Sequence, residues 1–113
     1  MKKNRFCLTL DLKEDPALIE EYLYWHRKEN IWPEIPEGIR AVGIETMEIY
    51  RIGNHLCMLL EGGPGFDFER DMALLATLPR QEEWELFTSR FQQTTPGSAS
   101  AEKWKLMEPV FLL

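Results

Sequence analysis

A tyrosine and a histidine four residues apart, Tyr22 and His26, are the residues of this chain best suited to chemistry. On a helix, a spacing of four places two side chains on the same face. An imidazole titrates at about pH 6.5, so His26 can act as an acid or as a base near neutrality. Aromatic residues surround it in the segment 21–34. Such a setting suits a small polar ligand with apolar ring faces, for example a sugar.

Three further residues could complete a site of this kind. Trp32 and Trp84 offer flat surfaces on which a pyranose ring can stack, and Glu85 could accept hydrogen bonds from sugar hydroxyls or act as a base. Each has a structural alternative, because tryptophans at helical spacing are commonly core residues and most glutamates are solvated. The alternative for His26 is a hydrogen-bonded residue at the edge of the core. For Tyr22 it is a partly buried ring with a wet hydroxyl.

Other kinds of site are not indicated by the sequence. No set of His, Cys, Asp and Glu residues has the spacing of metal ligands. The glycines of segment 62–65 predict a turn, because no Lys-Ser or Lys-Thr pair follows them to make a phosphate-binding loop. Cys7 and Cys57 are interpreted as buried free thiols in a reducing cytoplasm, with a disulfide between them as the alternative.

The composition is typical of one globular domain over residues 1–113. The net charge is −6, which disfavours binding to a nucleic-acid backbone. A basic start, residues 1–5, is followed by no long apolar run, so we expect neither a signal peptide nor a membrane-spanning segment. A chain of 113 residues can bury a core that folds without staples.

The first half of the chain predicts a strand and two helices. Apolar and polar residues alternate over residues 6–12, which predicts a strand with one apolar face. Asp15 is a predicted N-cap, with Pro16 at the first helical position. This helix carries the Tyr22/His26 pair and is expected to end at Pro33. A short second helix is predicted over residues 36–42.

The second half predicts a hairpin, two helices and a last strand. Strands at 44–52 and 55–61 flank a Gly53-Asn54 turn, and a tight turn there would pair residues 51, 49 and 47 with residues 56, 58 and 60. Helices are predicted over 67–78 and 79–91. Residues 92–101 predict a loop, and residues 103–113 predict an edge strand because Pro109 cannot donate to a ladder.

This order of elements is the ferredoxin-like split βαβ pattern, an α+β fold with an antiparallel sheet and helices on one face. A small sheet whose second face is half apolar commonly buries that face in a partner. We therefore expect a homodimer formed sheet to sheet, with Cys7, Thr9, Tyr50 and Cys57 at or near the contact.

Two adjacent motifs resemble the signature of the L-rhamnose mutarotase family. They are Glu21-Tyr22-x-x-x-His26 and Ile31-Trp32-Pro33-Glu34. The likeness continues through Glu48-Ile49-Tyr50 and residues 76–84, and ends in Glu108-Pro109-Val110-Phe111-Leu112, so it covers nearly the whole chain.

The resemblance implies several properties. The fold would be a dimeric α+β barrel to whose dimer the last strand contributes. The activity would be interconversion of the α and β anomers of a 6-deoxy-L-sugar, with no metal or cofactor. His26 would be the proton donor, and Tyr22 and Trp84 would contact the sugar.

Four departures from the rhamnose enzymes lie around the implied pocket. Two extra residues separate His26 from Ile31, and the loop 62–68 is longer. Met47 stands where those enzymes have a pocket tyrosine, and Glu85 where they have the second of a tryptophan pair. Because a thioether and a carboxylate would read different hydroxyls from aromatic donors, we expect L-fucose as the preferred sugar and L-rhamnose next.

The resemblance suggests a mechanism by general acid and base catalysis. His26 would protonate the ring oxygen, while the base stays open among Glu85, Tyr22 and a bound water. Two other functions stay possible for a barrel of this shape. One is a cofactor-independent oxygenase with a deeper, more apolar pocket, and the other is a non-catalytic sugar-binding protein.

Overall fold

A computed structural model of the chain describes residues 4–94 and 98–113. Residues 1–3 of the basic start and residues 95–97 of the predicted loop lie outside this description. In chain order the elements are β1 (Asn4–Asp11), α1 (Pro16–Trp25), α2 (Glu34–Ala41), β2 (Ile44–Ile52), β3 (His55–Gly62), α3 (Phe68–Leu75), α4 (Gln81–Thr88), α5 (Ser100–Lys103) and β4 (Lys105–Leu106).

The four strands form one antiparallel sheet in the order β2-β3-β1-β4. This is the ferredoxin-like order, so the predicted fold class is confirmed. Strand residues alternate between two faces, and the helices cover only one of them. The buried strand residues on the covered face are Leu8, Leu10, Ile44, Leu56, Met58 and Leu60.

The predicted hairpin is confirmed to the residue. Arg51 pairs with Leu56, and the register continues through the pairs 49/58 and 47/60. Gly53 in the turn has a φ of 60°, a conformation that glycine adopts without a steric cost. The alternation of apolar residues and the two-residue turn therefore agree on one register, because a slip by one residue would turn the apolar side chains to the other face.

Helix α1 begins where the sequence predicts and ends much earlier. The carboxylate of Asp15 accepts the N–H groups of Ala17 and Leu18 at 2.9 and 3.3 Å. The prediction that the helix runs to Pro33 is wrong, because the helix ends at Trp25. Pro33 is instead the N-cap of α2.

At the end of α1, two side chains bond main-chain carbonyls. In a longer helix these carbonyls would accept hydrogen bonds from backbone N–H groups. The ring Nδ1 of His26 bonds the Tyr22 carbonyl at 2.8 Å, and Asn30 Nδ2 donates to the Tyr24 carbonyl at 2.9 Å. Satisfied carbonyls at this end remove the need for another turn of helix. The chain then crosses to α2 through residues 26–33 without regular structure.

The second half differs from its prediction at the element ends. Helices α3 and α4 are shorter than predicted, and α5 occupies part of the predicted loop 92–101. The prediction of a strand over 103–113 is wrong, because only Lys105–Leu106 pairs with β1. Trp104 is buried just before that strand. Within the described part of the chain, no helix is both long and apolar enough to cross a membrane.

Replacing Asp15 by alanine is expected to lower the free energy of unfolding by about 0.5–2 kcal/mol, because the first turn of α1 loses its side-chain cap. Urea denaturation measures the change. Asp15→Asn keeps an acceptor and should lose much less. Glu14→Ala removes the neighbouring exposed carboxylate and serves as the control. Equal midpoints for Asp15→Ala and Glu14→Ala would contradict the capping role.

Candidate active site

A cavity of about 590 Å³ lies between the helices and the covered face of the sheet. Binding sites for small molecules commonly measure about 300–1,000 Å³. The sheet supplies a largely apolar floor, and the helices supply aromatic and polar walls. The lining residues used below are Tyr22, His26, Met47, Ile49, Met58, Trp84, Glu85, Thr88, Gln92 and Trp104.

His26 enters the cavity from the residue that follows α1. Its Nδ1 lies 2.8 Å from the Tyr22 carbonyl, and a carbonyl can only accept. Nδ1 therefore carries a hydrogen, and Nε2 is the atom left to exchange a proton with a ligand. Burial lowers the pKa of His26 below its ordinary value of 6.5.

Tyr22 and Trp84 hold the imidazole between them. The rings of Tyr22 and His26 are stacked with their centroids 4.0 Å apart, and the Trp84 ring is 5.3 Å from that of His26. Burial raises the pKa of the Tyr22 hydroxyl, with a partly opposing hydrogen bond from Gln92. The Tyr22 hydroxyl is therefore neutral at physiological pH and can donate a hydrogen bond.

Glu85 lines the same cavity and is paired with a lysine. Lys103 Nζ lies 3.0 Å from Glu85 Oε1, and the lysine side chain is fully buried. Burial raises the pKa of the Glu85 carboxyl, while the charge of Lys103 opposes that rise. The site thus holds a histidine whose pKa is lowered and a glutamate whose pKa is raised, a pattern typical of acid–base pairs.

Trp32 does not line this cavity. Its ring packs behind Trp84 at a centroid distance of 5.1 Å, and the guanidinium of Arg80 lies 4.1 Å above it on the other side. The structure therefore brings four of the five predicted site residues to one cavity and gives Trp32 a supporting position. A sugar in this cavity would meet Trp84 and not Trp32.

Sequence reasoning missed Lys103 and Gln92. The sequence predicts a strand for Lys103 and a loop for Gln92, and their contacts with the site come from segments distant in the chain. Neither belongs to a local motif, so no pattern of spacing could have found them. Lysines are mostly exposed, so the burial of Lys103 and its contact with the site become known only from the tertiary structure.

Fold and site together define a class of protein, an α+β barrel-like domain whose helices and sheet enclose a cavity with two acid–base side chains and aromatic walls. The family model of L-rhamnose mutarotase matches residues 5–113. This chain belongs to the L-rhamnose mutarotase family, as its motifs predict. Mutarotases interconvert the anomers of a sugar, so the chain is an isomerase.

Two relatives align over nearly the whole chain. The L-fucose mutarotase of Xanthomonas campestris pv. campestris is 41% identical over 113 residues, which cover 100% of this chain and 90% of that protein. A UPF0734 protein of Dictyostelium discoideum is 34% identical over 110 residues, which cover 94% of this chain and 86% of the relative.

Two solved structures share the fold. The L-rhamnose mutarotase FA22100 of Formosa agariphila superposes with a TM-score of 0.71 at 19% identity, covering 96% of this chain and 97% of that one. Tetracenomycin F2 cyclase of Streptomyces glaucescens, a type-II polyketide cyclase, gives a TM-score of 0.59 at 14% identity with the same coverages. At these identities the likeness concerns the fold alone.

The imidazole of His26 is expected to titrate with a midpoint below 6.5, because burial disfavours its charged form. NMR of the ring carbon-bound protons across pH 4–8 measures the midpoint. His55→Gln removes the other histidine and identifies the signal that belongs to His26. A midpoint above 6.5 would show that the ring is hydrated or faces a carboxylate, and would contradict the buried environment.

Proposed function

We propose that the chain is a mutarotase for 6-deoxy-L-hexoses, with L-fucose preferred and L-rhamnose next. The observation that carries the proposal is the shared cavity of about 590 Å³ onto which both His26 and Glu85 open. An imidazole and a carboxylate in one cavity provide the proton donor and the proton acceptor that opening of a hemiacetal ring needs.

His26 acts at the ring oxygen in the proposed mechanism. The imidazolium gives its Nε2 proton to that oxygen while Glu85 removes the proton of the anomeric hydroxyl, and the ring opens to the aldehyde. After rotation about the C1–C2 bond, the ring closes on the other face: His26 takes back the proton from the attacking hydroxyl, and Glu85 returns its proton to the aldehyde oxygen. Each group thus acts once as acid and once as base, and together they avoid the charges that the uncatalysed reaction would develop.

This mechanism requires a protonated His26 and an ionised Glu85 in the same molecule. The pKa of Glu85 is raised from its ordinary 4.5 and that of His26 is lowered from 6.5. Catalysis is lost at low pH as Glu85 gains a proton and at high pH as His26 loses one. The kcat/KM profile is therefore bell-shaped, and the opposite shifts of the two pKa values bring its two limbs closer together than the ordinary values would.

The other cavity residues are assigned to sugar binding. Trp84 stacks on the apolar face of the ring, and the Tyr22 hydroxyl donates to a sugar hydroxyl. Met47 and Glu85 contact the edge of the sugar at which L-fucose and L-rhamnose differ, the hydroxyls at C2 and C4. The relative that is called an L-fucose mutarotase supports the preference for L-fucose.

Replacing His26 by glutamine is expected to slow enzymatic exchange of the L-fucose anomers by about 10²–10⁴-fold, because the proton donor is lost. Saturation-transfer NMR on L-fucose and L-rhamnose measures the exchange. His55→Gln is the matched control, since His55 lies on an exposed part of the sheet with Asp11. Wild-type exchange by His26→Gln would refute the assignment.

The same experiment separates the two competing functions. A sugar-binding protein without catalysis would shift the sugar resonances and leave the exchange rate unchanged. An oxygenase would consume dioxygen and leave the deoxysugars untouched.

We further propose that the chain forms a homodimer through the uncovered sheet face and the C-terminal segment. Tyr50 and Ile52 on that face are 56% and 78% exposed. Val110, Phe111 and Leu112 are more than three-quarters exposed, which is unusual for three apolar residues in sequence. Cys7 and Cys57 on the same face are free thiols 3.3 Å apart, and they suit a reducing compartment such as the cytoplasm.

Sedimentation velocity at micromolar concentration is expected to give the mass of two chains. Phe111→Asp should shift the distribution to the monomer, because burying the new carboxylate without a partner is costly. Leu74→Asp changes an exposed leucine of α3 in the same way and should leave the dimer intact. A monomeric wild-type chain would contradict the proposal.

A further inference from the structure

Lys103 lies behind the wall of the cavity and not in it. Its side chain is fully buried, and it is absent from the residues that line the cavity. It comes from α5, a four-residue helix that packs against α3 and approaches α4 from outside. A buried lysine on so short an element needs a reason, because isolated buried ammonium groups are strongly unfavourable.

The ammonium group is surrounded by acceptors. It lies 3.0 Å from the Glu85 carboxylate, 2.9 Å from Gln92 Oε1 and 3.2 Å from Thr88 Oγ1, and it also donates to the main-chain carbonyl of Glu85. An ammonium group has three hydrogens and no acceptor, so every donor is engaged and none is left for a ligand. Lys103 therefore acts on other residues and not on the sugar.

These contacts fix Gln92 as well as Glu85. Because lysine only donates, the Gln92 atom that faces it must be the oxygen, and the amide nitrogen must point the other way. Gln92 and Tyr22 both line the cavity, so the lysine sets the orientation of an amide in the cavity wall. One buried cation thus orients a carboxylate and an amide.

We propose that Lys103 is a positioning residue for the isomerase reaction. It keeps Glu85 ionised as the proton acceptor, and it fixes the orientation of the Gln92 amide in the cavity wall. The inference rests on the proposed mutarotase function and assigns a role outside the cavity to a residue that never touches the substrate.

Other charged groups around Glu85 remain the same when Lys103 is changed. The ionisable residues that line the cavity with Glu85, or the smaller hollow next to it, are Tyr22 and His26 at α1, Arg40 of α2, Glu45 and Glu48 of β2, and Glu82 of α4. Lys103 is the cation in direct contact with the carboxylate. A nearby opposite charge typically lowers a carboxyl pKa by about 1–3 units. Removing Lys103 should therefore raise the pKa of Glu85 by about that interval.

Lys103→Gln tests the proposal with two independent measurements. In the first, carbon-detected NMR of the Glu85 carboxyl should show its titration midpoint raised by about 1–3 pH units relative to wild type. In the second, the acidic limb of the kcat/KM profile for L-fucose should move upward by the same interval, and kcat should fall. Lys105→Gln removes the same charge two residues away at an exposed position and should change neither.

The possible outcomes are distinguishable. An unchanged Glu85 titration, or an unchanged pH profile with a raised titration, would overturn the role of Lys103 while leaving the mutarotase function standing. A wild-type chain that exchanges no anomers would refute the proposed function, and with it the catalytic role of Lys103. The Glu85 titration would still decide whether Lys103 controls that carboxyl.

Further variants cover failure of the glutamine substitution. Lys103→Met has an unbranched side chain one atom shorter than lysine and brings no unpaired polar group into the core. Lys103→Arg restores the charge and should return the acidic limb toward its wild-type position. If none of these variants folds, nitrogen-15 NMR of the Lys103 side chain in the wild-type chain should show an ammonium group hydrogen-bonded to Glu85 at the pH of maximal activity. A neutral amine there would overturn the inference.

Discussion

The early end of helix α1 is the constraint on which the site depends. The His26 ring bonds the Tyr22 carbonyl, so the residue proposed to exchange protons also closes the helix that carries it. This bond sets the ring orientation and leaves Nε2 for the cavity. Had the helix continued to Pro33, the same side chain would lie along a regular helical face, with its carbonyl partner engaged by a backbone N–H.

The cavity exists because the helices leave space above an apolar sheet face. Leucines of β1 and β3 close the core on one side, whereas Met47, Ile49 and Met58 face open volume at the other. Open volume in a core forfeits packing energy, so a cavity of this size is a cost in stability that function can explain. The aromatic cluster of Trp84, Trp32 and Phe87 keeps the wall rigid around it.

The ion pair of the buried Lys103 and the partly buried Glu85 also has a cost in stability. Replacing a buried ion pair by apolar residues is often neutral or stabilising, whereas removing one partner costs about 3–5 kcal/mol. Such a pair is therefore poor evidence of a need for stability. The pair lies against the cavity wall, and Gln92 and Thr88 accept the remaining hydrogen bonds of the lysine. This position suits a lysine that sets the charge and the orientation of Glu85.

The sequence by itself determined three of the four strands, the hairpin register and the N-terminus of α1, because period-2 alternation, a two-residue turn and an aspartate cap are local signals. Residue type and motif also predicted a site at His26, Tyr22, Trp84 and Glu85, four residues that line one cavity. Only the tertiary structure decided that α1 ends at Trp25, that Trp32 stands behind the cavity, and that Lys103 reaches Glu85. Those outcomes depend on contacts between distant segments, and a buried polar group reveals its role only when its partners are in place.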